Sequence, residues 1–177
     1  NVTGVQTCAL PICALGKRDL RTTETAIFRL GGPERSARVR LAASDGGRLD
    51  FDGRLRDGAA NLQARAQDLG LGLFNVDLDG RVNATLALQG QGDRLQGALD
   101  AKLSDARGRG TPVVQGLDAS LNARLADSSV TLEMATTNAQ GLKANANFVL
   151  PAEASASPFR VAIARQKPMR GHVFARS

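Results

Sequence analysis

Between Arg48 and Arg56 apolar and polar residues exchange places at every step. Leu49, Phe51, Gly53 and Leu55 stand between Arg48, Asp50, Asp52, Arg54 and Arg56. A helix, with its longer period, does not produce this order; a strand with one dry and one wet face does. The same pattern returns along the chain. Val82, Ala84, Leu86 and Leu88 alternate with Arg81, Asn83 and Thr85, and Leu95, Gly97, Leu99, Ala101 and Leu103 with Arg94, Gln96, Asp100 and Lys102. Leu117, Ala119, Leu121, Ala123 and Leu125 alternate with Asp118, Ser120, Asn122 and Arg124; Val130, Leu132 and Met134 follow the same rule. So do Leu142, Ala144, Ala146, Phe148 and Leu150, then Phe159, Val161 and Ile163, and finally Met169, Gly171 and Val173. Upstream, Val39 and Leu41 sit between Arg38, Arg40 and Ala42.

Turn chemistry separates these runs. Asp45-Gly46-Gly47, Asp57-Gly58, Gly90-Gln91-Gly92-Asp93, Asp127-Ser128 and Asn138-Ala139-Gln140-Gly141 supply residues that tolerate positive φ. Links this short join antiparallel neighbours, because parallel ones need a crossover. Pro151 and Pro158 bracket AEASAS, which reads as a small-residue loop, and 104–116 reads as a longer connection. The stretch Asn61–Leu73 carries two periods at once. Leu62, Ala66, Leu69 and Leu73 have helical spacing, yet Leu62, Ala64 and Ala66 alternate. It is read as a strand to about Ala66 and then an irregular turn, with a short helix as the competing solution.

The expected fold class is all-β. The dry face of each strand is thin, built from Leu, Val and Ala. Two arrangements satisfy it: a sandwich, or a long sheet that curls until its apolar face lines a trough. An open trough needs a partner or a lipid to cover it.

Residues Val2 to Ile12 read VTGVQTCALPI, the translation of a common sequencing adapter. Residues 1–13 are therefore expected to be a non-native segment that makes no regular pairing with the sheet. Residues 14–177 are then a section of a longer repetitive β-domain, cut at both ends. Both cysteines, Cys8 and Cys13, fall in the adapter stretch or at its junction, so neither a disulfide nor a metal site is built on them.

Composition narrows the function. Lys+Arg is 23 and Asp+Glu 17, a net charge of +6, but the charge is spread along the strands. Six Phe with no Tyr or Trp make no stacking platform, so nucleic acid is not an expected partner. The single His172 excludes any site needing two imidazoles, and no Ser-His-Asp arrangement is expected around it. Gly90-Gln91-Gly92 has no helix pattern after it and is a turn, not a phosphate loop. Asp50 and Asp52 are flanked by arginines on the wet face, which reads as a charge ladder. No enzyme activity, cofactor or metal is expected.

The ordered set of strands from about Arg38 resembles the AsmA-like family of bacterial envelope proteins, most closely the C-terminal repeats of its translocation-and-assembly-module (TamB) branch. The resemblance rests on GRLDFDGRL at Gly47–Leu55, LDGRVNATLALQG at Leu78–Gly90 and LQGALDAKLSDA at Leu95–Ala106. It continues through LDASLNARLADSSVTLEMAT at Leu117–Thr136, GLKANANFVLP at Gly141–Pro151 and PMRG at Pro168–Gly171. It implies an elongated, curled, mainly antiparallel sheet (a β-taco) with an apolar inner groove. It also implies a periplasmic protein anchored in the inner membrane, engaged in phospholipid transport toward the outer membrane, in outer-membrane protein assembly, or in both. An outer-membrane barrel partner would be met by regions beyond this segment. The competing reading is a structural β-solenoid or adhesin-like passenger domain with a sealed core and no lipid.

The residues expected to line the groove against phospholipid acyl chains are Leu49, Phe51, Leu55, Val82, Leu86, Leu88, Leu95, Leu99 and Leu103, followed by Leu117, Leu121, Leu125, Val130, Leu132, Leu142 and Phe148. Acyl chains need a dry surface and no polar chemistry, because their transfer is driven by CH₂ burial at about 0.8 kcal/mol each.

Overall fold

The computed structural model describes residues 5–8, 13–15, 18–110, 116–164 and 166–176. Four short strands that no alternating run announced come first: β1 (Val5–Cys8), β2 (Cys13–Leu15), β3 (Arg18–Thr22) and β4 (Ala26–Arg29). The strands that follow the alternating runs begin with β5 (Glu34–Ala43), β6 (Arg48–Arg56) and β7 (Ala59–Gly70). After a single 3₁₀ turn at Leu71–Leu73 come β8 (Leu78–Gln91), β9 (Arg94–Gly108), β10 (Leu117–Ala126) and β11 (Ser129–Asn138). The last three are β12 (Lys143–Ala156), β13 (Phe159–Ile163) and β14 (Arg170–Arg176). No described helix is long and apolar enough to cross a membrane.

From β4 to β12 each strand pairs antiparallel with the next, one unbroken meander, and β14 adds to the free side of β12. The sheet does not close on itself. Its tight turns explain this order. Asp57 and Gly58 have φ of 49° and 75°, and Asp127 and Ser128 of 48° and 57°. Positive φ at both central positions is the primed turn whose twist matches that of the flanking strands.

The structure departs from the sequence expectation in four places. Val5–Cys8 does pair, with Ala26–Arg29 of β4, and Cys13–Leu15 pairs with β3. Both are short outer strands; residues 1–4 and 9–12 lie outside those described. The Asn61–Leu73 stretch stays a strand as far as Gly70. The register between β7 and β8 slips between Ala66 and Leu69, and Asp68 there has a φ of 47°. A bulge adds one residue and keeps the next apolar side chain on the same face, which is why a three-residue step imitated helical spacing. The same device extends β9 into the stretch read as a connection: the register slips around Asp105, φ 51°, and pairing resumes at Ala106 with Leu117.

The fourth departure concerns the AEASAS segment, which is strand rather than loop. β12 pairs with β14 as far as Val149 and with β11 as far as Pro151, then leaves them, and Ala152–Ala156 pairs with β13. Proline, with no N–H to donate, stands where the partners change. From there β12 crosses the turn ends of the sheet. Ala152 N donates to Ser128 O at 2.8 Å, and Ala156 N and Ser157 N donate to Gly92 O at 2.8 and 2.9 Å. Small residues are required because Ala152 and Ala156, 1% and 4% exposed, pack directly on the sheet.

Burial is concentrated at the two ends of the strands. Ala60, Leu95, Leu125, Ala152 and Ala156 form one cluster beside the crossing segment, with Leu55, Leu88, Val130 and Ala154 packed against it. Ala43, Leu69 and Leu73 form the other, beside the 3₁₀ turn, with Leu20, Leu49, Ala66 and Val82 against it.

Candidate functional site

Directly paired residues of antiparallel neighbours lie on the same face of a sheet, so the register reads out the face row by row. One row runs Val39, Phe51, Ala64, Leu86, Leu99, Ala123, Leu132, Phe148, Gly171. The next runs Leu41, Leu49, Ala66, Ala84, Ala101, Leu121, Met134, Ala146, Val173. Both cross nine strands without a polar side chain. At the usual strand spacing of ~4.8 Å such a row is on the order of 40 Å long.

The residues expected to line a groove fall on this one face. Leu55, Leu88, Leu95, Leu125 and Val130 belong to its turn-end rows, and Val82, Leu103 and Leu117 to the opposite end. Leu142 stands one residue before β12 and its carbonyl accepts from Asn138 N at 3.1 Å. Of the whole set only Leu95 and Leu125 are buried, at 6% and 7% exposure, by the alanine segment of β12. Phe51, Leu86, Leu99, Leu121, Leu132 and Phe148, in the middle of the face, are half-buried. They belong to neither of the two buried clusters, which lie at the ends of the strands.

The sequence reading omitted Leu62, Ala64, Ala66 and Leu69 of β7 from this face, because the bulge at Asp68 mixed two periods. The signal was present: Asp57-Gly58 is a two-residue turn, which obliges the residues after it to pair with β6. It also omitted Phe159, Val161 and Ile163. They pair with Ala156, Ala154 and Ala152 respectively and so share the face that packs on the main sheet.

The opposite face is charged, as the alternation requires. Arg40, Asp50, Arg65, Thr85, Asp100, Asn122, Glu133, Asn147 and His172 form one row across it. Asp52 takes Arg38 Nε at 2.8 Å and Arg40 Nη2 at 2.6 Å, and Arg40 also reaches Asp50 at 3.4 Å. Hydrogen bonds from Arg38 and Arg40 hold the Asp52 carboxyl below its ordinary pKa. Two carboxylates neutralised by guanidinium groups form the expected charge ladder, and His172 takes its place on the same face.

One hollow of about 320 Å³ is lined by Asp50, Asp52, Gln63, Arg65, Thr85 and Asp100 of the charged face, together with Leu86 and alanines of β7 to β9. A larger cleft of about 780 Å³ lies at the turn end between Gln89, Gly90, Asp93–Gln96, Ala126–Ser128 and Ala154, and includes Leu95 of the apolar face. Among the described residues no group of three or more His, Cys, Asp or Glu is placed to hold a metal ion.

The chain matches no protein-family model, no curated protein and no solved structure.

Proposed function

We propose that the chain is a section of a periplasm-spanning sheet that carries phospholipid between the inner and outer membranes, with acyl chains lying on its apolar face, and that serves outer-membrane protein assembly through regions beyond this section. The observation that carries the reading is the pair of polar-free rows across nine strands whose central leucines stay half-buried. A sealed core would bury them, since protein interiors are close-packed. That disfavours the competing solenoid, and so does the antiparallel order of the strands.

The chemistry of the face favours an acyl chain over a peptide. The backbone groups of the central strands are used within the ladder, and the side chains of both rows offer no donor or acceptor. A peptide laid flat on this face would bury its own N–H and C=O groups unpaired, at a cost of about 1–3 kcal/mol each. An acyl chain has none to lose and gains about 0.8 kcal/mol per buried CH₂. The length of the rows, on the order of 40 Å, exceeds the ~15 Å of one bilayer leaflet's hydrocarbon.

The experiment places a photo-crosslinking residue at Leu99 in cells. A phospholipid adduct at Leu99, absent from Asp100 on the other face, is the expected result. A protein adduct in place of lipid at Leu99 overturns the lipid reading.

A further inference from the structure

The sheet stays open beyond β12, and β14 lacks the usual devices that close an edge. Among the described residues β14 pairs with β12 alone, so alternate N–H and C=O groups on its other side have no strand to bond. The register runs from Arg170 opposite Val149 to Arg176 opposite Lys143 without a slip, so no bulge twists the edge away. No proline stands between Arg170 and Arg176, and every residue there is exposed. The two faces of the strand differ. Gly171, Val173 and Ala175 continue the apolar rows through Phe148, Ala146 and Ala144. Arg170, His172, Phe174 and Arg176 stand on the charged face.

Elsewhere the charged face is mixed in sign, but at this edge it is only positive. Arg176 lies directly opposite Lys143, a like-charge pair that costs stability. No carboxylate belongs to β14 or to its partner stretch Lys143–Val149. Among the described residues Lys143, Arg170 and Arg176 take part in no ion pair. The one carboxylate of β11, Glu133, stands opposite Asn147 and so two strands away from His172.

We propose that the free edge of β14 takes up an extended segment of another protein as an additional strand, one in which acidic residues alternate with apolar ones. The unpaired backbone groups specify a strand, because an extended chain offers N–H and C=O at the matching spacing. Acidic side chains at alternate positions would face Arg170, His172 and Arg176, and would offset the repulsion between Arg176 and Lys143. The residues between them would fall beside Gly171, Val173 and Ala175, where the sheet continues its dry rows. A second copy of the chain does not fit this edge. β14 itself carries no carboxylate, and neither do the outer strands β1 and β2, so pairing edge to edge leaves every cation unmatched. This edge is available whether or not the apolar face carries lipid.

The test uses the whole chain and a fluorescent peptide in which glutamate and valine alternate, followed by anisotropy. Saturable binding that weakens as salt is added is the expected result. It should be several-fold tighter than for a peptide with lysine in place of glutamate, or for one of the same composition with its glutamates together. Methylating alternate backbone nitrogens of the peptide removes donors and leaves the charge, and is expected to abolish binding. Arg176→Glu gives Lys143 an opposite charge, so it is expected to hold or raise the urea midpoint while weakening peptide binding several-fold. A merely structural role for Arg176 would not separate the two readouts. Equal binding of the methylated peptide, or of the one with clustered glutamates, overturns strand addition. Equal binding of the lysine peptide overturns the charge selection, and no binding of any peptide overturns the whole proposal. A photo-crosslinking residue at Phe174 that captures a second copy of the chain also overturns it and makes β14 a self-association edge.

Discussion

Asp52 shows what the charged face contributes at the scale of single residues. Its carboxyl is 41% exposed and shared between Arg38 and Arg40, whose hydrogen bonds lower its pKa. A carboxylate with a lowered folded-state pKa stabilises the fold at pH values above the ordinary aspartate range of about 3.9, and that contribution disappears as the pH falls through the lower folded value. Exposure screens the pair, so its worth is at most about 1 kcal/mol. Asp52→Asn is expected to lower the urea midpoint slightly at pH 7 and to have no effect at a pH below the folded pKa. Gly97 makes a sharper residue-level case. A Cβ there would run into the Ala87 carbonyl and the Leu88 side chain across the β8–β9 ladder. Gly97→Ala is expected to cost about 1–3 kcal/mol in urea unfolding, the range of overpacking in a packed site.

The elements differ in how deeply their apolar residues are packed. Leu125 lies in the buried cluster beneath the β12 alanines, whereas Leu99 stands half-buried on the open face. Leu125→Ala is expected to cost about 2–5 kcal/mol. Leu99→Ala is expected to cost less, because Leu99 keeps part of its surface in contact with solvent and lies in neither buried cluster. Urea unfolding of the two variants decides whether the central face is open. The bulge at Asp68 gives a second test. Removing one residue from a strand sends every later side chain to the other face. Deleting Asp68 is therefore expected to turn Leu69 away from its cluster with Ala43 and Leu73 and to abolish cooperative unfolding. Asp68→Gly, which accepts positive φ at no cost, is expected to remain folded. The same bulge is why β7 was hard to read. A strict period of two was legible in β6, β8, β9 and β10, where every second residue is apolar, but a single inserted residue makes a strand imitate a helix over two turns.

For the whole molecule, the question is whether the apolar face acts as a conduit. Leu99→Asp and Leu121→Arg place a charge in the middle of the two polar-free rows. On an open face a charged side chain still reaches water, so the loss of stability is expected to stay within about 1–2 kcal/mol, small against the several kcal/mol of burying an uncompensated charge. Outer-membrane permeability, measured in cells whose only copy carries the change, is expected to rise. A normal outer membrane with a folded variant removes the conduit and leaves the face a structural surface.

The alternation along the chain determined that the molecule is all-β, which residues share a face, and that the sheet is antiparallel. Each of these follows from side-chain period and from the short reach of a turn, both local properties. The Asp50 and Asp52 ladder was legible for the same reason, since alternate residues of one strand meet alternate residues of the next. Tertiary structure alone decided how the face is covered. AEASAS is rich in small residues and lies between two prolines, so locally it reads as a loop. It becomes a strand because Ala152 and Ala156 are small enough to pack against Leu95 and Leu125, and because Gly92, some sixty residues earlier, offers its carbonyl to Ala156 and Ser157. Nothing in the pattern of those residues specifies contacts at that separation, because packing depends on which surfaces the turns bring together rather than on the order of neighbours along the chain.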